Sequence, residues 1–288
     1  MKKIQLLLIL LLMSLGAYAQ DGFYNISEEK IKKTYDEISP LGKYRFDSLS
    51  YEHARSQTEY IFEEFNYKSD NFEIIGFSCR PKLINGKKIP VIIYNRGGTG
   101  NIGKLNEEDF PDFYTLAKEG FVVFASNYRY VGELGAIDQI GGDDLNDVIN
   151  LYEIVQKLDY VDNKNIFMVG ISRGGLMTYK SLTKIDLNAA AVLGGTADLE
   201  DLTNRRPIFL TGWSDLEENL NYAGLQNVLP NFEDKREEYF KQRSAPQWAD
   251  EINTPIFILH SRQDGRVPLS GPLKLIARLY EFNKEFKV

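Results

Sequence analysis

The stretch Gly170-Ile171-Ser172-Arg173-Gly174-Gly175 has the residue types and spacing that most directly suggest chemistry. It follows an apolar run, Asn165 to Val169, and precedes a helical pattern, the setting that a G-x-S-x-G turn requires. A serine on so tight a strand-to-helix turn needs small neighbours. Its oxygen then stands above the sheet, beside a helix N-terminus that favours developing negative charge. The corresponding chemistry is attack by the Ser172 hydroxyl on a carbonyl carbon. The plain alternative is a Gly/Ser helix entry with no chemistry. A second glycine-rich run, Arg96-Gly97-Gly98-Thr99-Gly100, follows the apolar run Val91 to Asn95. A backbone N–H from Gly97 or Gly98, with that of Arg173, would hold the oxyanion of a tetrahedral intermediate. A phosphate cradle is excluded, because no Lys-Ser or Lys-Thr follows these glycines.

Asp264 lies in Ile258-Leu-His-Ser-Arg-Gln-Asp264-Gly-Arg-Val-Pro268, just past another apolar run. That puts a carboxylate at the carboxyl edge of the sheet, where it can orient a histidine. Asp198 is the competing acid, and a turn-forming Asp-Gly is the structural alternative. The sequence holds two histidines. His260 ends the strand before the acid, which places it beneath the loop rather than over Ser172. His53 belongs to a charged N-terminal helix and is expected to face solvent. Neither is expected to act as the base, without which a serine keeps its weak hydroxyl nucleophilicity.

These residues need elements to carry them. Strands are expected at Phe72–Cys79, Ile89–Asn95, Phe121–Ser126, Asn165–Gly170, Ala189–Leu193 and Pro255–His260. Helices are expected at Phe110–Lys118, Asp143–Leu158, Leu176–Leu182 and Leu273–Phe282. The alternation implies right-handed crossovers and an α/β fold, a mostly parallel sheet with helices on both faces. Residues 20–65 are polar and weakly periodic, and read as short helices on the outside of the main domain, residues 66–288. A long polar insertion, residues 200–250, is expected to form part of a substrate pocket. Trp213, Trp248 and Tyr222 could line it, although packing is the commoner role for such residues.

The chain has 288 residues, of which 43% are hydrophobic and 26% charged, as in an ordinary globular protein. A net charge of −7 gives no basic footprint for nucleic acid. One cysteine, Cys79, excludes an intrachain disulfide framework, and with two histidines it makes a zinc site improbable. No cofactor is expected. Met1-Lys2-Lys3, the apolar run Ile4 to Leu15 and Ala17-Tyr18-Ala19 form the three parts of a secretory signal peptide, residues 1–19. The mature protein is expected to be exported, periplasmic or extracellular, and not held in a membrane. Its oligomeric state is left open.

Taken together, these motifs resemble the prolyl oligopeptidase family of α/β-hydrolases and the dienelactone-hydrolase-like enzymes near it, over about residues 66–288. The likeness rests on Tyr67-Lys-Ser-Asp70, Ala125-Ser-Asn-Tyr-Arg129, Asp159-Tyr-Val-Asp162 leading to Gly-Ile-Ser172-Arg-Gly-Gly, Ser244-Ala-Pro246, and His260 with Asp264-Gly-Arg-Val-Pro268. It implies Ser172 as nucleophile, Asp264 as triad acid, and acyl transfer from a small peptide or ester. Three departures stand out. No β-propeller precedes the domain. Arg96 stands where the family usually has His or Tyr before Gly-Gly, and its guanidinium could still serve as an oxyanion donor. The family's catalytic histidine lies beyond the acid, after the final strand, whereas no His follows Asp264 here. Glu285-Phe-Lys-Val288 reads as the opening of that strand, so the last strand and helix are expected to be missing. The competing readings are a catalytically inactive or truncated α/β-hydrolase-like binding protein, and a carboxylesterase in which His260 swings into place.

Overall fold

The computed structural model describes residues 22–131, 136–215 and 220–288. The expected signal peptide lies outside the described residues. Eleven strands are described: β1 (Phe23–Glu29), β2 (Tyr60–Ser69), β3 (Phe72–Pro81), β4 (Ile89–Asn95), β5 (Val122–Ser126), β6 (Val161–Ile171), β7 (Ala189–Leu193), β8 (Trp213–Asp215), β9 (Leu220–Tyr222), β10 (Ile256–Leu259) and β11 (Phe286–Lys287). Nine of them form one sheet, ordered β1-β2-β3-β5-β4-β6-β7-β10-β11, while β8 and β9 pair apart as a hairpin. The sheet is antiparallel from β1 to β5 and parallel from β5 through β11. This is the α/β-hydrolase arrangement expected from the alternating pattern, with the parallel half presenting its carboxyl ends to a single rim.

Period-two alternation decides how the sheet is covered. Val91 and Ile93 of β4, with Val122 and Phe124 of β5, enter the larger apolar cluster. Tyr94, Val123 and Ala125 enter a second cluster on the opposite face, together with Cys79. The helix Leu145–Val155 closes the first face through Leu145, Val148, Leu151 and Val155, all buried. Full burial of each such side chain is worth about 1.5–3 kcal/mol. The helix Phe110–Ala117 closes the second through Phe110, Phe113 and Ala117.

Most elements fall where periodicity put them. β4 and β7 match residue for residue, and the helices begin or end within a turn of expectation. Residues 20–65 differ. They do hold two short helices, Pro40–Arg45 and Ser48–Ser56, but β1 and the first part of β2 belong to the main sheet, which therefore runs across residue 65. The pairing of β1 with β2 shifts register between Tyr24 and Ser27, beside Asn25 at φ 53°. That irregularity hid the alternation. The ring of Phe23 sits 4.1 Å from that of Phe65 and 5.7 Å from that of Phe124, which fastens the added strand to the core.

Two of the resemblance-bearing segments meet in an ion pair between a buried arginine and an exposed carboxylate. Arg129, just after β5, reaches Asp70 at 2.7 Å and Asp147 at 2.9 Å. At the other end, β11 pairs in parallel with β10, in register Ile256 to Phe286. No described helix is long and apolar enough to cross a membrane.

Candidate active site

Ser172 sits between β6 and the helix Arg173–Ser181, with φ 54° and ψ −120°. A non-glycine residue there costs on the order of 1–3 kcal/mol and persists only where its surroundings enforce it. Its N–H donates to the Leu193 carbonyl at 3.2 Å, and its own carbonyl accepts from Gly175 N–H at 2.9 Å and Thr196 N–H at 3.0 Å. The turn is thus pinned to β7 and to its own helix. The flanking glycines are required by close approach rather than by dihedral freedom. A methyl group on Gly174 would collide with the Asn95 carbonyl oxygen, and one on Gly170 with the Gly174 carbonyl and Thr178 Oγ1. The Ser172 hydroxyl does not cap the helix, and it makes no hydrogen bond among the described residues.

The loop after β4 runs against this turn. A Cβ on Gly97 would lie 3.2 Å from Ser172 Cβ and 3.8 Å from its Oγ, so Gly97 packs close beside the serine side chain. Gly98, at φ 82°, bends the chain back so that its Cα faces the Ile102 carbonyl. Arg96 is 1% exposed, and its guanidinium is fully committed. Nε and Nη2 donate to the Asn127 carbonyl, Nη1 to those of Gly97 and Ile102, and Nη2 also to the Tyr130 hydroxyl at 2.9 Å. All five N–H groups are used. The expectation that this guanidinium could serve an oxyanion is therefore corrected: Arg96 ties the loop together and has no N–H left to donate.

The Arg173 side chain is similarly withdrawn. It is 4% exposed, pairs with Asp138 at 2.9 Å and with Asp144, and donates to the Tyr130 hydroxyl at 2.6 Å. Burial alone would pull this guanidinium down, but Asp138 and Asp144 more than offset it and push it up. Burial raises Asp138 despite the arginine beside it. The guanidinium carbons of Arg96 and Arg173 lie over the same two rings, at 5.1 and 4.7 Å from the centroid of Tyr128 and 5.4 and 5.1 Å from that of Tyr130. Sequence reasoning singled out Arg173 for its N–H alone. It missed Tyr130, Asp138 and Asp144, for which no local spacing gives a signal.

Asp264 lies on the loop after β10. Its Oδ1 accepts from the N–H groups of Arg266 at 2.8 Å and Val267 at 2.9 Å. Its Oδ2 is turned toward Gly194 at the end of β7, where a Cβ would lie 3.3 Å away. One oxygen is thus fixed by the backbone while the other faces the rim beside the serine's strand. His260 Nε2 is 3.6 Å from that oxygen and 3.1 Å from the Val267 carbonyl. A carbonyl only accepts, so Nε2 carries the proton and donates it there. The His260 side chain is 3% exposed and does not line the cavity at Ser172, which places it beneath the loop as expected. His53 is exposed, 3.2 Å from the Tyr114 hydroxyl. The competing acid, Asp198, caps the helix Leu199–Arg205, accepts from Ser244 Oγ at 2.8 Å and pairs with Lys274 at 2.9 Å. Its oxygens hold the insertion together.

Ser172 opens into a cavity of about 140 Å³. Trp213 and Phe209, from the insertion, line it along with Ile208 and Val267. Of the other aromatics considered, Trp248 is buried with Nε1 donating to the Lys241 carbonyl, and Tyr222 is buried with its hydroxyl donating to the Phe209 carbonyl. Both are packing residues.

The chain was compared with known proteins. The family model described as the prolyl oligopeptidase family matches residues 107–288. Among curated relatives, the Bacillus subtilis protein named "Uncharacterized peptidase YuxL" is 29% identical over 244 residues, covering 82% of this chain and 35% of the relative. "Uncharacterized peptidase YtmA" of the same bacterium is 25% identical over 246 residues, 84% of this chain and 86% of the relative. Acylamino-acid-releasing enzyme 1 of Oryza sativa is 26% identical over 219 residues, 69% of this chain but 26% of the enzyme. The chain therefore spans nearly all of YtmA but about a third or less of the other two. Among solved structures, Pyrococcus horikoshii acylaminoacyl peptidase superposes with a TM-score of 0.61 at 24% identity, covering 84% of this chain and 38% of that one. A puromycin-hydrolyzing peptidase of Mycobacterium tuberculosis gives 0.59 at 19% identity, over 81% and 36%. These structural likenesses concern the fold.

Proposed function

Because the chain belongs to the prolyl oligopeptidase family, a family of serine-type peptidases and hydrolases, we propose that it transfers acyl groups from a small peptide or ester through Ser172. The observation that carries this reading is the enforced backbone of Ser172, φ 54° with the hydroxyl uncommitted, at the mouth of an apolar cavity. In the proposed step the Ser172 oxygen bonds to the carbonyl carbon as the C=O π pair moves onto oxygen. The resulting oxyanion is met by the N–H of Arg173 and that of Gly97 or Gly98. The hydroxyl proton passes to a base, which returns it to the departing nitrogen or oxygen as the intermediate collapses, so that the amine or alcohol leaves and an acyl-serine remains. Asp264, whose Oδ2 accepts no backbone hydrogen bond and faces the rim, is the acid that would orient that base.

No imidazole lines the cavity among the described residues, and this favours a second reading, binding without turnover. A fluorophosphonate probe separates the two. The folded chain is expected to gain one phosphonyl group at Ser172, and Ser172→Ala is expected to gain none. A folded chain whose Ser172 stays unlabelled at high probe concentration sinks the hydrolase reading and leaves the binding one. Serine hydrolases that lose a triad member keep roughly 10³–10⁴-fold catalysis over water, so slow labelling is the expected form if no base is in reach.

We propose further that residues 1–19 direct export, supported by the basic start, the apolar run and the Ala-Tyr-Ala site. Mass spectrometry of the chain expressed in a bacterium is then expected to find a product starting near Gln20 outside the cytoplasm. An intact Met1 chain confined to the cytoplasm contradicts this.

A further inference from the structure

Among the described residues, two cations stand unpaired where Ser172 opens to solvent. Arg206, half-buried at the end of the helix Leu199–Arg205, and Arg266, exposed on the acid's loop, both line the cavity beside Ser172. Neither guanidinium makes an ion pair or a hydrogen bond among the described residues. Among the described residues, the Arg206 guanidinium lies over the Phe209 ring at 5.0 Å. The chain has 41 acidic residues against 34 basic ones, yet among the described residues these two arginines share no carboxylate. No Asp or Glu is found among the described residues lining this cavity, and its other arginine, Arg173, is already neutralised by Asp138 and Asp144. Burial, and then the like charge of Arg266, pull Arg206 below its ordinary range.

We propose that Arg206 and Arg266 form a carboxylate-recognition site, so that the preferred substrate carries a carboxylate close to its scissile carbonyl. The inference rests on the reading of Ser172 as the nucleophile, since that hydroxyl defines which carbonyl is scissile. A guanidinium presents a planar fork of donors that matches a carboxylate, and two of them flanking one anion relieve their mutual repulsion as it binds. Trp213, Ile208 and Phe209 supply the apolar wall against which the rest of the ligand packs. The carboxylate has two chemical sources. It is either an acidic side chain on the acyl residue or the free C-terminus of the leaving group.

The test measures binding and needs no turnover. N-acetyl-glutamate amide, N-acetyl-glutamine amide and N-acetyl-glutamine with a free α-carboxylate are titrated by calorimetry, with Trp213 fluorescence as a second readout. At least one acidic ligand is expected to bind about tenfold or more tightly than the neutral amide, with a preference that weakens as salt is raised. Preference for the glutamate amide places the carboxylate on the acyl side; preference for the free α-carboxylate places it on the leaving-group side. Arg206→Gln and Arg266→Gln are each expected to remove most of the preference, and the double variant all of it, with unchanged thermal transitions. Arg206→Lys is expected to keep part. Equal binding of all three ligands, or a preference that survives in the double variant, overturns the site. Failure of the parent reading looks different: an acid preference with Ser172 unlabelled by fluorophosphonate leaves the anion site standing on a protein that does not acylate.

Discussion

Gly174→Ala is expected to abolish fluorophosphonate labelling of Ser172 and to destabilise the chain by about 3 kcal/mol or more, at the upper end of what overpacking costs. The added methyl has nowhere to go. It would overlap the Asn95 carbonyl oxygen and lie 2.7 Å from that of Arg96. Neither is the end of a flexible side chain. Asn95 is the last residue of β4, paired to Gly170 of β6, so relief requires the helix after Ser172 to lift from the sheet. Lifting it breaks the Ser172 carbonyl's bonds to Gly175 and Thr196 and lets the serine relax from its strained dihedral. Gly265→Ala is the control, because a Cβ there meets nothing within 4 Å. Its stability is expected to stay within about 0.5 kcal/mol of the parent, as at other unobstructed surface sites. Thermal unfolding and labelling measured on the same samples check both expectations. A Gly174→Ala chain that melts and labels like the parent contradicts the steric account.

Arg173→Leu is expected to cost about 3–5 kcal/mol, because it leaves buried carboxylates without their cation. Asp144 is fully buried, and its Oδ1 already lacks a hydrogen-bond partner among the described residues. Asp138 keeps only the N–H groups of Gly100 and Ile140. For a chain of this size the loss corresponds to a fall in Tm on the order of 10 °C. The pH dependence identifies the cause. Without Arg173, Asp138, which burial already raises, lies further above its unfolded value, so the folded state binds more protons between the two values. Stability then falls as pH rises through that window. The deficit of Arg173→Leu relative to the parent is thus expected to be smaller near pH 5 than at pH 8. Adding Asp138→Asn and Asp144→Asn is expected to restore much of the loss at pH 8, since removing a whole buried ionic group is far less costly than stranding part of it. A deficit that is flat with pH points to lost packing instead.

How legible the site was depends on the range over which each constraint acts. The Ser172 turn could be read because its requirements are local: three glycines at fixed offsets meet backbone a few residues away or on the adjoining strand. β4 could be read because a strand buried on both faces is a continuous apolar run, and β7 because all five of its residues are apolar, although only alternate ones are buried. Arg96 shows where this stops. The sequence placed it before two glycines and left its guanidinium free to donate. Its actual partners include the Asn127 carbonyl and the Tyr130 hydroxyl, 31 and 34 residues away, which no spacing rule connects. Trp213, Trp248 and Tyr222 were indistinguishable as aromatic residues of one polar insertion, and only packing assigns the first to the cavity and the others to the core. β1 stayed hidden because its irregularity at Asn25 breaks the period on which strand recognition relies. Arg206 and Arg266, 60 residues apart, gave no local sign of being neighbours.

The shared seat of Arg96 and Arg173 on Tyr128 and Tyr130 has a corollary. The turn bearing the hydroxyl and the loop facing it are far apart in the chain, yet both lean on one pair of phenol rings. Neither can drift by itself. Exchanging either ring disturbs two arginines at once, and exchanging either arginine strips a cation from rings that the other still uses. A substitution at any one of these four positions is therefore expected to disturb the other three, which share its contacts.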